Sequence, residues 1–238
     1  MTDDDGFRDL FVELLDVYDL TRGARLKPTH QPVGHIAHGW YTRCRRSLEG
    51  AVLLGEQGFG EEASPIMRCG LEHAVALAWL GDKGAEAAQT IQRGHAETAG
   101  RQADALRGAN WPIPDWSLIE EVIADNPGPT SQDHLWAFRH LFDTYGRPAF
   151  YAAWLLETAR SHPGYQSAVP YMRAMDGYTV TALLDQAEDD GRSLAARGTV
   201  WLLSATASMD LMFEGGPMRS ALEAFHARAV LVLNEASQ

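Results

Sequence analysis

Only two cysteines occur in 238 residues, Cys44 and Cys69, and they form no CxxC pair and no metal-ligand spacing. A thiol redox motif and a cysteine-based zinc site are thereby excluded. Both cysteines fall within helical patterns and read as small buried apolar residues. Lysine is nearly absent, with 2 lysines against 18 arginines. Together with abundant alanine and glycine, that bias suggests a high-GC bacterial genome rather than a function. No apolar run approaches the roughly 18 residues a membrane helix needs, so no membrane partner is expected. The start, Met1-Thr2-Asp3-Asp4-Asp5-Gly6, is acidic where a signal peptide would be basic and then apolar, so a cytoplasmic location is expected. Period-two patterning, internal repeats and low-complexity tracts are missing as well, which leaves no signature of a sheet or a solenoid.

What is present is helical periodicity on an acidic chain. The hydrophobic fraction is 45% and the formal net charge is −12. A surface of that sign repels phosphate backbones, so nucleic acid is not the expected partner. Arg43, Arg45 and Arg46 form a local basic cluster, but the three do not share one face of a helix.

Helices are predicted over Phe7–Leu20, Val33–Gln57 and Ser64–Leu80, the last two separated by Gly58-Phe59-Gly60 and the last ended by Gly81. Further helices are predicted over Gly84–Leu106, Trp116–Ala124, Gln132–Tyr145 and Pro148–Arg160. Two weaker ones follow, near Ala168–Asp176 and Tyr178–Gln186, and then an acidic patch, Glu188-Asp189-Asp190. Ser193–Phe213 and Met218–Asn234 close the chain around the Gly215-Gly216-Pro217 turn. The expected fold is all-α, a single irregular bundle of about nine helices spanning 1–238. The long apolar helices also leave room for a homodimer.

The third predicted helix carries the candidate chemistry. It is apolar around most of its circumference and therefore central. Within it Arg68 and Glu72 stand one turn apart. Two readings stay open. They are a buried ion pair that fixes helix packing, since an unpaired buried charge costs several kcal/mol. Or they are the polar floor of a pocket. Seven tryptophans are present, and Trp40, Trp79, Trp136, Trp154 and Trp201 all fall on predicted helices. They read either as core or as the walls of an interhelical pocket, with His140, His162 and Tyr165 at its mouth. His35 and His38, with His30 upstream, could approach a zinc ion, but surface or capping roles fit them better and no metal is expected. Gly58-x-Gly60-x-x-Ala63 follows a helix, whereas a dinucleotide fingerprint must follow a strand, so no cofactor is expected.

Arginine is followed by histidine after four to six intervening residues at three places, Arg25/His30, Arg68/His73 and Arg219/His226, where about two are expected by chance. Arg68-x4-His73 resembles the signature of the HEPN helical-bundle ribonucleases. That resemblance implies metal-free RNA cleavage, with His73 moving the proton and Arg68 holding the phosphate. A broader stretch, Arg46-Ser47-Leu48, Gly58 to Ala63 and Arg68-x3-Glu72, with Ser161-His162-Pro163 downstream, resembles an uncharacterised family of bacterial all-helical proteins. It implies an all-helical fold and no established activity. The favoured expectation is a helical protein that binds a small aromatic or apolar molecule between its helices, through Arg68, Glu72, His73, Trp79, His140, His162 and Tyr165. The alternative is the ribonuclease.

Overall fold

Ten α-helices, several single turns of 3-10 helix and one minimal strand pair make up the computed structural model, which describes residues 3–113, 115–173, 182–184, 186–187 and 193–236. The helices are α1 (Asp3–Asp16), α2 (Gly34–Glu56), α3 (Ser64–Lys83), α4 (Ala85–Gly108), α5 (Ser117–Ala124), α6 (Phe138–Tyr145), α7 (Pro148–Ser161), α8 (Tyr165–Ala168), α9 (Leu194–Asp210) and α10 (Arg219–Ala236). The fold is all-α. No helix among the described residues is long and apolar enough to cross a membrane.

Helix α3 is the hub, packed against α2, α9, α7, α6 and α4. Its sequence explains this: Met67, Leu71, Ala74, Val75, Leu77, Trp79 and Leu80 point to several sides and are all buried. The helix runs past Gly81 to Lys83, so Gly81 is no stop signal. A Cβ there would come within 3.0 Å of the Ser208 carbonyl oxygen, and the missing side chain lets α3 approach α9 closely.

Helix α2 buries Ala37, Tyr41, Cys44, Leu48 and Ala51, with the Tyr41 and Thr206 hydroxyls 3.1 Å apart across the α2–α9 contact. The four-residue series Ile36, Trp40, Cys44, Leu48, Val52 only partly matches this face. Steps of four overshoot the 3.6-residue turn, so the series drifts around the helix. Ile36 and Trp40 end half-buried at its edge, and that drift leaves Trp40 free to line a cavity.

Helix α10 packs against α1 and α9, and polar contacts at and beside it add to that packing. Met218 N–H donates to the buried Asp210 carboxylate at 2.7 Å. Arg228 forms a bidentate pair with Glu13 of α1, at 2.6 and 2.8 Å.

Three predicted helices differ. The single helix over Gln132–Tyr145 is broken at Ala137, which is extended (φ −83°, ψ 119°), into a 3-10 turn Asp133–Trp136 and α6. Thr130 and Asp133 fold the preceding loop on itself, with Asp133 accepting from Thr130 N–H at 3.1 Å and from its hydroxyl at 2.6 Å. The break turns Trp136 onto α4 while Leu135 and Leu141 stay buried. Tertiary docking here overrides local helix propensity. The helix near Ala168–Asp176 is instead α8 followed by a 3-10 turn, Val169–Tyr171. Pro170 has no N–H to extend an α-helical ladder. In place of helix at Met172–Arg173 and Ala182–Leu183 an antiparallel strand pair β1–β2 forms. The remainder of those two predicted helices within 174–181, and the acidic patch at 188–190, lie outside the described residues.

Candidate functional site

Two walls flank an open-sided cavity of about 220 Å³. The first is made by α2 and α3, through Trp40, Glu72, His73, Ala76 and Trp79. The α3 members follow from helix geometry, because positions 72, 76 and 79 lie one above another at spacings of four and three. The second wall is Leu135 and Trp136 of the 3-10 turn with Phe138 and Leu141 of α6.

The indoles are held differently. Trp79 is buried and its Nε1 donates to Gln132 Oε1 at 2.8 Å, which ties the first wall to the loop that carries the second. Trp40 meets the His73 ring edge-on, with centroids 6.4 Å apart. Trp136 lies against Gly94 of α4, where a Cβ would stand only 2.4 Å from its ring. No side chain other than hydrogen fits between that indole and the helix.

Glu72 is fixed on its outer side. Its Oε1 accepts from Trp154 Nε1 at 2.9 Å and lies 3.5 Å from Arg68 Nε. Arg68 Nη1 is 3.1 Å from His162 Nε2. The i,i+4 pair predicted from sequence is therefore formed, but at an edge: the two side chains keep 27% and 17% of their exposure. It backs the pocket without Arg68 reaching its surface.

His73 is fixed by its own helix. Nδ1 stands 2.7 Å from the Cys69 carbonyl oxygen, and an oxygen at that distance requires a hydrogen on Nδ1. The ring's other nitrogen, Nε2, is then the one left for the cavity. The Cys69 thiol lies 3.7 Å from the same Nδ1 and accepts from Ser47 Oγ at 3.6 Å. Hydrogen bonding to His73 lowers the Cys69 thiol to about 7 against the opposing effect of burial, with Ser47 and Arg43 assisting. Burial pulls the His73 imidazolium downward, but its bonds to the Cys69 thiol and carbonyl, with the nearby Cys69 and Glu72 charges, outweigh this and raise it. The reading of both cysteines as inert buried groups holds for Cys44, whose thiol burial pushes well up. It fails for Cys69, which is only partly buried and has Ser47 and His73 beside its thiol.

Of the residues singled out from sequence, Glu72, His73 and Trp79 meet at the cavity. Arg68 and His162 stand behind it, linked through Glu72. His140 is exposed on the outer side of α6 beside His134, and Tyr165 is 80% exposed; neither lines the cavity. Arg68 and His73 diverge, one toward His162 and the other toward Cys69. The three N-terminal histidines are not gathered on one ion: buried His30 faces the Gly81 carbonyl at 3.1 Å, and His38 faces the Tyr18 hydroxyl at 3.1 Å. No group of side chains suited to a metal ion occurs among the described residues. Of the five tryptophans read as candidate pocket walls, Trp40, Trp79 and Trp136 line the cavity and Trp154 and Trp201 do not, while Ala76, Leu135, Phe138 and Leu141 have no place in the reading of the site from sequence. Helical spacing from Glu72 points to Ala76, whereas no local pattern marks the second wall.

Residues 34–111 match the model of a family of unknown function (DUF5677). The match takes in α2, α3 and α4, and so the first wall and Gly94, while the second wall lies beyond it. No curated protein and no solved structure matches the chain.

Proposed function

We propose that this protein binds a small planar aromatic molecule between α2, α3 and α6. The observation that carries the reading is a cavity walled by three indoles, Trp40, Trp79 and Trp136, with Glu72 and His73 as the ionisable groups in its lining. Apolar walls with a few placed polar groups are the usual build of a ligand site. Size narrows the choice. An apolar cavity of roughly 150 Å³ accepts benzene in another protein, so about 220 Å³ suits two fused rings. Glu72 is paired with Arg68, and no arginine or lysine is among the residues that line the cavity, so a polyanion has no basic groove to follow here.

The test is a titration with planar bicyclic aromatics, indole and indene among them, followed by tryptophan emission and thermal melting. A saturable emission change is expected, with stabilisation of about 2.7 kcal/mol at ~100 times the dissociation constant. Trp136→Ala should weaken both effects. No saturable change and no melting shift with any member of the panel refutes the reading.

A further inference from the structure

The cavity lining contains two ionisable groups that can accept hydrogen bonds, Glu72 and His73. Glu72 Oε1 is engaged from outside by Trp154 and Arg68. Its Oε2 has no hydrogen-bond partner among the described residues, and the carboxylate borders the cavity. His73 Nδ1 is held by the Cys69 carbonyl, so in the neutral ring Nε2 offers a lone pair rather than a hydrogen. Glu72 and His73 are consecutive on α3 and both line the cavity. Trp40 and Trp79 share their wall and Trp136 stands on the other, and the π-faces of indole rings attract cations. The Trp79 N–H is already donated to Gln132 and cannot serve a ligand's acceptor.

Resting on the proposed function, we infer that the cavity's ligand is a fused two-ring heteroaromatic carrying an amidine-like pair of N–H groups, bound as a cation with one N–H on Glu72 Oε2 and the other on His73 Nε2. Two donors on a delocalised cation match a carboxylate oxygen and a neighbouring imidazole nitrogen, and the same delocalised charge lies against Trp40 and Trp136. A neutral hydrocarbon of the same shape fills the volume but leaves both acceptors without a donor, and acceptors stripped of water and left unpaired weaken binding.

The probes are 2-aminobenzimidazole and indene, which share a fused 6–5 ring frame and differ in N–H groups and charge. Each is titrated into the full chain and into Glu72→Gln, with tryptophan emission as readout and circular dichroism to confirm folding. The glutamine side chain of that variant still presents an amide oxygen to Trp154. The wild-type protein should bind 2-aminobenzimidazole about tenfold or more tightly than indene. The difference should shrink to near parity in Glu72→Gln through weaker binding of 2-aminobenzimidazole. Equal binding of the two probes by the wild type overturns this inference and leaves the proposed function standing, and that comparison needs no variant. A preference that survives intact in Glu72→Gln also overturns it. Absence of binding by either probe removes the proposed function, and this inference with it.

Discussion

Gly94→Ala isolates the second wall of the pocket from the stability of the fold. A methyl at position 94 would stand 2.4, 2.6 and 2.8 Å from three atoms of the Trp136 indole. Carbon atoms prefer about 3.5–4.0 Å, so the ring must withdraw by roughly 1 Å. Two terms then oppose each other. Alanine in place of a mid-helix glycine stabilises α4 by about 0.8–1 kcal/mol. Overpacking costs about 1–3 kcal/mol where the neighbour is held. Trp136 sits on a single 3-10 turn and is 39% exposed, so it can swing outward and the cost falls at the low end. Net stability should therefore change by no more than about 1 kcal/mol. Binding should suffer more, because an aromatic contact is worth about 0.5–1.5 kcal/mol beyond its area, and the loss of apolar cover brings the fall to about tenfold. Gly100, also on α4, is the control. A Cβ there meets nothing within 4 Å, so Gly100→Ala should gain the helix term and bind as wild type. Urea midpoints, tryptophan emission and bicyclic-ligand titrations report all three quantities. A Gly94→Ala protein with wild-type emission and wild-type affinity would refute the seating of Trp136 on α4.

Four further outcomes are expected. Glu72→Ala should destabilise by roughly 1–3 kcal/mol by removing the acceptor for Trp154 Nε1 and the partner of Arg68, and Glu72→Gln by less; a denaturant midpoint for Glu72→Ala equal to wild type would show that neither contact matters. Alkylation of Cys69 by iodoacetamide should rise through about pH 7, since its thiol is lowered and the thiolate is present above that pH, while Cys44 stays silent. Peptide mapping by mass spectrometry gives the profile, which should move upward in His73→Ala; a half-maximal pH near the ordinary value of about 8.5 contradicts the Cys69–His73 contact. Asp210→Ala should cost about 1–3 kcal/mol, because Met218 N–H is left buried without its acceptor, and unchanged thermal melting would count against that latch. Single-stranded and structured RNA should stay intact in metal-free incubations; cleavage lost in both Arg68→Ala and His73→Ala, with both variants folded, would bring the ribonuclease reading forward.

The helices were legible in the sequence because their determinants are local. The 3.6-residue period, Pro65 at the start of α3 and Pro148 at the start of α7 place most boundaries within a few residues of those observed. The same locality made Arg68–Glu72 predictable, since residues four apart on a helix are neighbours wherever the helix lies. It also put Glu72, Ala76 and Trp79 on one side of α3. The sequence was silent where distant segments meet. Trp136 faces the cavity because a turn breaks at Ala137 and because α4 has hydrogen at position 94, two facts far apart in the chain that share no pattern. Cys69 differs from Cys44 only through what surrounds it: Ser47 across from α2 and His73 a turn away make one thiol acidic, whereas apolar burial makes the other inert. Sequence alone determined that this chain is helical and which helix is central. Only the tertiary structure decided that three of its tryptophans line one cavity, because periodicity records which side of a helix is apolar and not what that side meets.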